Sequence, residues 1–344
     1  MRFPPAFRFA PLLMTLAAPP LAAQTPTPTP TPTPSPDDSF YSRSLHFTNR
    51  GILYNYEKGL QRLTGFPADR LGCTKASCHV KSCDVCHRTE ANGRAVYSVA
   101  QARTEKACAA CHGEPDPKDT DVHVRKGLRC MDCHSAREIH GDGTPYDSVW
   151  QQGALGVRCE GCHTDLKKIP SHTVHSGKID CGACHTRETA TCFNCHIDSR
   201  LAGVQDASIK REGLTFLINH DGRVKLGNLL TYVYKNGTAI TVAPTYPHKI
   251  SSQGRTCAEC HGTRIAKEVA AGTLVLTRFE NGELTSIKGV VPVVDPATWK
   301  VAFLGRQGEK WVPLANPQAP IVAFSGFSSP LTREQLAKLV SEAR

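Results

Sequence analysis

The chain has 344 residues, with 41 Lys plus Arg, 31 Asp plus Glu, 15 His, 16 Cys and a formal net charge of +10. Hydrophobic residues make up 40% and aromatic residues only 7%, so we do not expect side chains alone to fill the interior of the protein. No apolar run of about 18 residues occurs, which excludes a multi-span membrane protein. The chain has no nucleic-acid-binding motif, so we expect no nucleic-acid partner for its basic charge.

Residues 1–23 have the pattern of a secretory signal peptide: Arg2 and Arg8 form a basic start, the stretch Ala10–Leu21 is apolar, and small residues follow. A short membrane anchor is the alternative, which the short apolar length and its proline pair disfavour. We therefore expect export, to the periplasm or to the cell surface and exterior.

Residues 24–39 form a Thr/Pro-rich linker, either an extended polyproline II spacer or a low-complexity tail. Residues 40–262 carry the cysteines, with a helix expected near Ile52–Leu63. A hairpin insert is predicted at about 222–243, because the Asn236–Gly237 turn lies between two apolar runs.

All sixteen cysteines fall into eight pairs, and each pair is followed directly by His. In chain order, motifs 1 to 8 are Cys73, Cys78, His79; Cys83, Cys86, His87; Cys108, Cys111, His112; Cys130, Cys133, His134; Cys159, Cys162, His163; Cys181, Cys184, His185; Cys192, Cys195, His196; and Cys257, Cys260, His261. Motif 1 has four residues between its cysteines and the others have two. C-x-x-C-H is the attachment signature of c-type haem, in which both thiols bond the porphyrin and the His ligates the iron. Zinc sites and disulfides are the alternatives, but neither needs a His after every second Cys. The motifs therefore predict eight covalently attached haem c groups.

With these motifs the sequence resembles the multihaem c-type cytochromes, and specifically octahaem ones, over about residues 46–261. The wider motif 1 resembles a variant of the class III tetrahaem cytochromes. The resemblance implies haem faces packed against one another in place of an apolar core, and basic side chains paired with haem propionates.

Seven histidines remain as candidate distal ligands: His46, His123, His140, His172, His175, His220 and His248. Three of them (His123, His175 and His248) precede the next motif by six to nine residues. His172 and His175 are three apart on one helical turn and are therefore candidate ligands for two different haems. His220 also fits an exposed turn. Seven histidines cannot serve eight haems, so one haem is expected to lack a distal His. Met131, a Lys, a Tyr, water or a ligand from another protein are the candidates for that place.

Residues 263–344 contain no Cys or His and are predicted to be a β-rich cover or docking module. Short strands are expected at Thr273–Phe279, Glu283–Ile287, Val290–Val294, Lys300–Leu304 and Ile321–Phe324, with a helix capped at Thr332 near the end. The fold class expected from these elements is mainly irregular, with short α-helices wrapped around a covalent haem chain and a small β-rich C-terminal part with a terminal helix.

These features predict an electron-transfer protein with mostly bis-His haems, resembling the periplasmic and extracellular cytochromes of metal-respiring microbes. The expected partners are redox donor and acceptor proteins, identical chains in a filament or an outer-membrane porin, and extracellular metal oxides. The alternative is a reductase or oxidase of a small nitrogen or sulfur oxyanion that uses the haem with an open sixth site. It is disfavoured because the reductases among octahaem enzymes carry a Lys in place of one motif His.

Overall fold

The computed structural model describes residues 40–71, 80–113, 121–187, 189–246 and 248–343. The predicted signal peptide, the linker and the cysteines and His of motif 1 lie outside them. The described helices are short: α1 Leu45–Thr48, α2 Arg50–Lys58, α3 Leu60–Thr64, α4 Asp84–His87, α5 Val99–Ala102, α6 Glu105–His112, α7 Val122–Arg125, α8 Cys130–Cys133, α9 Ala136–His140, α10 Pro170–His175, α11 Cys181–His185, α12 Ile197–Leu201, α13 Cys257–Cys260, α14 Arg264–Ala270 and α15 Arg333–Val340. The described strands are β1 Arg88–Ala91, β2 Arg94–Tyr97, β3 Thr189–His196, β4 Ile209–His220, β5 Arg223–Tyr234, β6 Gly237–Pro244, β7 Thr277–Glu280, β8 Glu283–Ser286, β9 Gly289–Pro292, β10 Leu304–Gln307, β11 Lys310–Pro313, β12 Ile321–Phe324 and β13 Ser328–Ser329.

A seven-stranded mixed sheet organises the second half of the chain. Its order is β12-β6-β5-β3-β4-β13, and β9 also pairs with β4. β5 and β6 are antiparallel across a turn at Lys235 and Asn236, one residue earlier than the predicted Asn236–Gly237 turn, whereas β12 runs parallel to β6 and β9 runs parallel to β4. The region after residue 262 therefore adds strands to the same sheet as the region before it.

Strand β3 occupies a fork in this sheet. β4 and β5 pair directly only near their shared turn, from Phe216 opposite Gly227 to His220 opposite Arg223. Beyond that point they separate, and β3 lies between them, antiparallel to β4 and parallel to β5. Because β3 contains motif 7, this motif belongs to the central sheet.

The predicted fold class is wrong. The structure is mixed α/β, with 33% helix and 27% strand and thirteen strands among the described residues. Short helices do surround the motifs, but β4 and β5 are each 12 residues long and carry many buried apolar side chains. The prediction missed the sheet because parallel pairs such as β9 with β4 join distant segments and leave no local turn signal.

Local signals in the sequence predicted two helices more successfully than they predicted the fold class. The terminal helix α15 begins where predicted, with Thr332 and Gln335 forming a reciprocal capping box. The predicted helix near Ile52–Leu63 is present but broken at Gly59, where a Cβ would collide with the side chain of Thr241. The close approach of β6 therefore requires a glycine at this position.

The apolar core is unevenly distributed. Its largest cluster lies around the central sheet and includes Phe193, Phe216 and Trp299. Between residues 80 and 187, the buried apolar side chains among those described are Trp150, Ala154 and Ala183. That segment contains motifs 2 to 6, so side-chain burial contributes little to the stability of the part of the chain that is richest in motifs.

Candidate haem-binding sites

The seven described motifs have two kinds of local structure. Motifs 2, 3, 4, 6 and 8 lie on the short helices α4, α6, α8, α11 and α13, and motif 5 begins with a 3-10 turn over Cys159–Gly161. One helical turn brings the two thiols to the same side and places the His directly after them. Motif 7 instead lies on β3, where a register irregularity between Cys192 and Cys195 and a positive φ of 54° at Asn194 replace the helical turn.

Six motif histidines each face one of the additional histidines. The ring centroids are 5.9 Å apart for His87 and His140, 6.2 Å for His112 and His46, 6.4 Å for His134 and His248, 6.0 Å for His163 and His123, 6.3 Å for His185 and His172, and 6.1 Å for His261 and His175. Every pair joins one predicted proximal ligand to one predicted distal ligand.

This separation has a simple chemical meaning. A metal between two imidazoles, with metal–nitrogen bonds of about 2.0 Å, needs ring centroids about 6.3 Å apart. The six pairs therefore fit an iron held between two axial histidines.

The second ring nitrogen of these histidines also has a suitable partner. Backbone carbonyls lie within hydrogen-bonding distance of Nδ1 in four of them: His172 at Lys167 O (2.9 Å), His175 at Ser171 O (2.9 Å), His185 at Ser251 O (3.0 Å) and His261 at Lys338 O (2.7 Å). An imidazole that donates Nδ1–H to a carbonyl presents the lone pair of Nε2 to a metal. The residues present therefore fit c-type haem with two axial imidazoles.

Two buried carboxylates also lie beside the Nδ1 atom of a paired histidine, and each of them connects neighbouring motifs. Glu138 Oε2 lies 3.2 Å from His134 Nδ1, while its other oxygen accepts N–H bonds from Gly156 and Val157, just before motif 5. Its own helix, α9, ends at His140. One side chain thus connects the surroundings of motifs 2, 4 and 5.

Asp121 is the second such carboxylate. Its Oδ1 lies 3.3 Å from His123 Nδ1 and accepts the backbone N–H of that residue, and its Oδ2 accepts the N–H of Ile250 at 2.7 Å. Ile250 is two residues after His248. Sequence reasoning missed both Asp121 and Glu138, because their roles depend on partners far along the chain.

The electrostatic surroundings favour neutral imidazoles. Burial, followed by the nearby His112, lowers the pKa of His46. Burial, followed by His87, lowers the pKa of His140. A neutral ring is the form that binds a metal.

Cysteines of successive motifs lie close enough to influence one another. In Cys86, Cys108, Cys133 and Cys260 burial is the largest cause of a raised thiol pKa and a neighbouring thiol is the next. In Cys159 the hydrogen bond with Cys181 is the largest cause of the raised pKa. The raised thiols and their neighbours are Cys86 with Cys111, Cys108 with Cys130, Cys133 with Cys162, Cys159 with Cys181, and Cys260 with Cys184. Motifs 2, 3, 4, 5, 6 and 8 therefore form one row in that order.

Motif 7 stands away from motif 6, although the two adjoin in sequence. The N–H of Asp180, just before motif 6, donates to Val224 O, whereas Cys192 and Cys195 lie opposite Leu230 and Tyr232 on the same strand. Six to eight residues of strand correspond to about 20–27 Å. Strand β3 therefore carries motif 7 along β5 and away from the start of motif 6.

The structure places His220 apart from the six pairs. It lies at the turn between β4 and β5, is 3% exposed, and packs edge-on against Trp150 with centroids 6.0 Å apart. Neither ring nitrogen has a hydrogen-bond partner, although Nδ1 lies 3.2 Å from Asp221 Oδ2. His220 is therefore buried, which contradicts the exposed-turn interpretation, and no described motif His faces it.

His196 of motif 7 has surroundings unlike those of the six paired motif histidines. Its Nδ1 accepts the N–H of Ser199 at 3.3 Å and caps helix α12. The ring facing it is the indole of Trp311, with centroids 6.5 Å apart. Burial lowers the pKa of His196, with Asp198 raising it and Arg306 lowering it further. His79 of motif 1 lies outside the described residues, so its partner is not assigned.

Among the described residues no two cysteines form a disulfide, and no group of three or more His, Cys, Asp or Glu side chains forms a metal-binding cluster. No helix in the described part of the chain combines the length and apolarity required to cross a membrane. Comparisons with protein-family models, curated proteins and solved structures found no match to this chain.

Proposed function

We propose that this chain is an exported octahaem c-type cytochrome that transfers electrons in the periplasm or at the cell exterior. The observation that carries the proposal is the set of six imidazole pairs, each joining a motif His to a distant His at 5.9–6.4 Å. Bound haem iron supplies one-electron redox chemistry, and two axial imidazoles leave no open coordination site.

The chain's own residues support this function by holding the sites rigid. Carbonyl and carboxylate acceptors orient the axial rings, which favours a low-spin iron that changes little between its two oxidation states. The electrostatic influence of neighbouring thiols on one another along motifs 2, 3, 4, 5, 6 and 8 supports a continuous row of redox centres. The excess of Lys and Arg supports charge compensation of sixteen propionates, two from each of eight haems.

The partners proposed for this row are redox donor and acceptor proteins. Identical chains in a filament, a porin of the outer membrane and extracellular metal oxides are candidate members of that set.

Two short edges of the central sheet, β12 and β13, belong to the C-terminal region and give that region a structural role within the sheet.

A second function is favoured by one observation, the lack of a His opposite His196 among the described residues. A reductase or oxidase of a small nitrogen or sulfur oxyanion needs an iron with an open sixth position, and motif 7 is where this chain offers one. Its separation from the row of motifs 2 to 6 and 8 agrees with a distinct role.

The test uses the purified holoprotein. We expect eight haems per chain by pyridine haemochrome assay and intact mass, and stepwise reduction over a range of potentials. With reduced viologen as donor, an electron-transfer protein should turn over neither nitrite, hydroxylamine nor tetrathionate, and rapid viologen oxidation by any of them would favour the second function. A haem count below eight would contradict both.

A further inference from the structure

We infer that the haem carried by motif 7 has no protein ligand on the face opposite His196, and that this face binds a small anion beside Trp311 and Arg306. The inference rests on the proposed attachment of haem to this motif. It assigns the open site to one haem, which the ligand count in the sequence left unassigned.

The count of histidines comes first. All histidines except His79 lie in the described residues, and His79 belongs to its own motif. Six of the seven additional histidines face other motifs. The seventh, His220, pairs with Arg223 at the opposite end of β5 from Val233, the residue paired with His196. Ten residues of strand separate these positions by about 33 Å, so His220 cannot reach that iron.

The second step concerns the position that a distal imidazole takes elsewhere. Trp311 lies 6.5 Å from His196 between ring centroids, close to the 5.9–6.4 Å of the six pairs. Indole cannot replace imidazole as a ligand, because its nitrogen carries a hydrogen and its lone pair belongs to the ring. Trp311 therefore lies over this face without supplying a sixth ligand, and an anion that binds the iron has to displace the indole.

The structure fixes Trp311 from within motif 7 itself. Asn194, between the two cysteines, is fully buried, with Nδ2 donating to Ala302 O at 3.2 Å and Oδ1 accepting the N–H of Leu304 at 3.0 Å. Leu304 begins β10, which pairs with β11 and places Arg306 opposite Trp311. Two side-chain hydrogen bonds thus hold the hairpin β10–β11 against the motif.

Arg306 supplies the chemistry that selects an anion. Its guanidinium carbon lies 5.0 Å from the centroid of Trp311, and Nη1 donates to Asp206 O at 3.0 Å. Its Nε is buried and has no hydrogen-bond partner. A cation with an unused donor beside an open iron favours small anions such as azide, cyanide or nitrite.

The surroundings of His196 Nδ1 also differ from those of the paired histidines. In the paired sites described above, Nδ1 faces carbonyl or carboxylate oxygens, which makes the imidazole a stronger ligand. With iron at Nε2, Nδ1 of His196 would carry the proton and face Ser199 Oγ at 3.0 Å, and this hydroxyl is a weaker acceptor than a carbonyl or carboxylate, which leaves the imidazole a weaker donor to iron. Motif 7 therefore combines a weaker proximal ligand with a face that lacks a second imidazole.

The experiment is electron paramagnetic resonance of the ferric holoprotein, with spin quantitation before and after addition of azide. We expect at least one high-spin haem per chain that azide converts to low-spin. Trp311→His should supply the missing imidazole, removing one high-spin haem per chain and its response to azide, whereas Trp311→Phe should keep both. Arg306→Gln should keep the spin state and weaken azide binding about tenfold, as expected for a lost charged hydrogen bond.

Eight haems that are all low-spin in the wild-type protein would overturn the inference and leave the proposed cytochrome function intact. An azide-responsive high-spin haem that persists unchanged in a fully haem-loaded Trp311→His protein would also overturn it, because the open site would then belong to another motif. If Trp311→His fails to load eight haems, the wild-type spectrum and Trp311→Phe still decide, since loss of the high-spin signal in Trp311→Phe contradicts the inferred geometry. Fewer than eight haems in the wild type would instead count against the proposed function.

Discussion

His172 and His175 lie one helical turn apart on α10 and face different motifs, His172 facing His185 and His175 facing His261. Residues three apart on a helix point to the same side. A single turn therefore brings the sites of motifs 6 and 8 together, although 76 residues separate their first cysteines, Cys181 and Cys257.

The first prediction follows from this pair. His172→Ala and His175→Ala should each convert one low-spin ferric haem per chain to high-spin, and the double variant should convert two, because each imidazole serves a different iron. Quantitative electron paramagnetic resonance measures the change. Thr173→Ala, on the same helix, is the matched control and should leave the count unchanged, because its hydroxyl donates to Ile169 O and not to an axial ring. A converted haem in that variant would show that disturbing α10 is sufficient.

A second prediction concerns Glu138 and the redox potential of the motif 4 haem. Glu138→Gln replaces a charged acceptor at His134 Nδ1 with a neutral one, which stabilises the ferric state less. If the ferric state loses about 1 kcal/mol of stabilisation, the reduction potential of that haem should rise by about 40 mV in a spectroelectrochemical titration.

Asp132→Asn is the control for Glu138→Gln within the same motif. Asp132 accepts the N–H of Arg129 and caps α8 without contacting an axial ring. Equal shifts in the two variants would show that net charge, and not the contact with His134, sets the potential.

Asp121 gives a third prediction, on stability. Asp121→Asn weakens contacts to both His123 and Ile250, so the free energy of unfolding should fall by about 1–3 kcal/mol in denaturant titrations. Asp147 pairs with Arg50 on the surface, with a half-exposed side chain, and Asp147→Asn should change the free energy by less than about 1 kcal/mol. Similar losses in both variants would contradict the linking role of Asp121.

The fourth prediction is a pH dependence set by His220. Burial, followed by the nearby Lys225, lowers the pKa of His220 in the folded chain. The unfolded chain then binds a proton more readily, so the free energy of unfolding should decrease as the pH falls below about 6.5, by at most about 1.4 kcal/mol per pH unit from this group. His220→Gln should show a weaker decrease in denaturant titrations at about pH 7.5, 6.5 and 5.5, which bracket the ordinary pKa of His. Parallel profiles for the two proteins would contradict the buried neutral His220.

The sequence was sufficient to predict what depends on neighbouring residues. The turn between β5 and β6, one residue before the predicted Asn236–Gly237, and the cap at Thr332 are local patterns with a local physical cause. The additional histidines could also be identified as candidate ligands by counting, since iron is expected to be abundant near them.

Long-range pairing could not be predicted from the sequence. Nothing near His46 indicates that it faces His112 and not another motif His, because that choice depends on how distant loops pack. The position of motif 7 is a similar case: Phe193 and Asn194 are ordinary residues within a Cys-x-x-Cys-His motif, and only the sheet shows that both are buried and that β3 lies between β4 and β5.

The most direct test of the central claim is near-infrared magnetic circular dichroism of the ferric holoprotein, which reports the axial ligands of low-spin haem, calibrated against the haem content. We expect at least six haems per chain with two axial imidazoles, one for each histidine pair. A spectrum that accounts for fewer than six bis-imidazole haems in a protein carrying eight would contradict the assignment of these pairs as axial ligands.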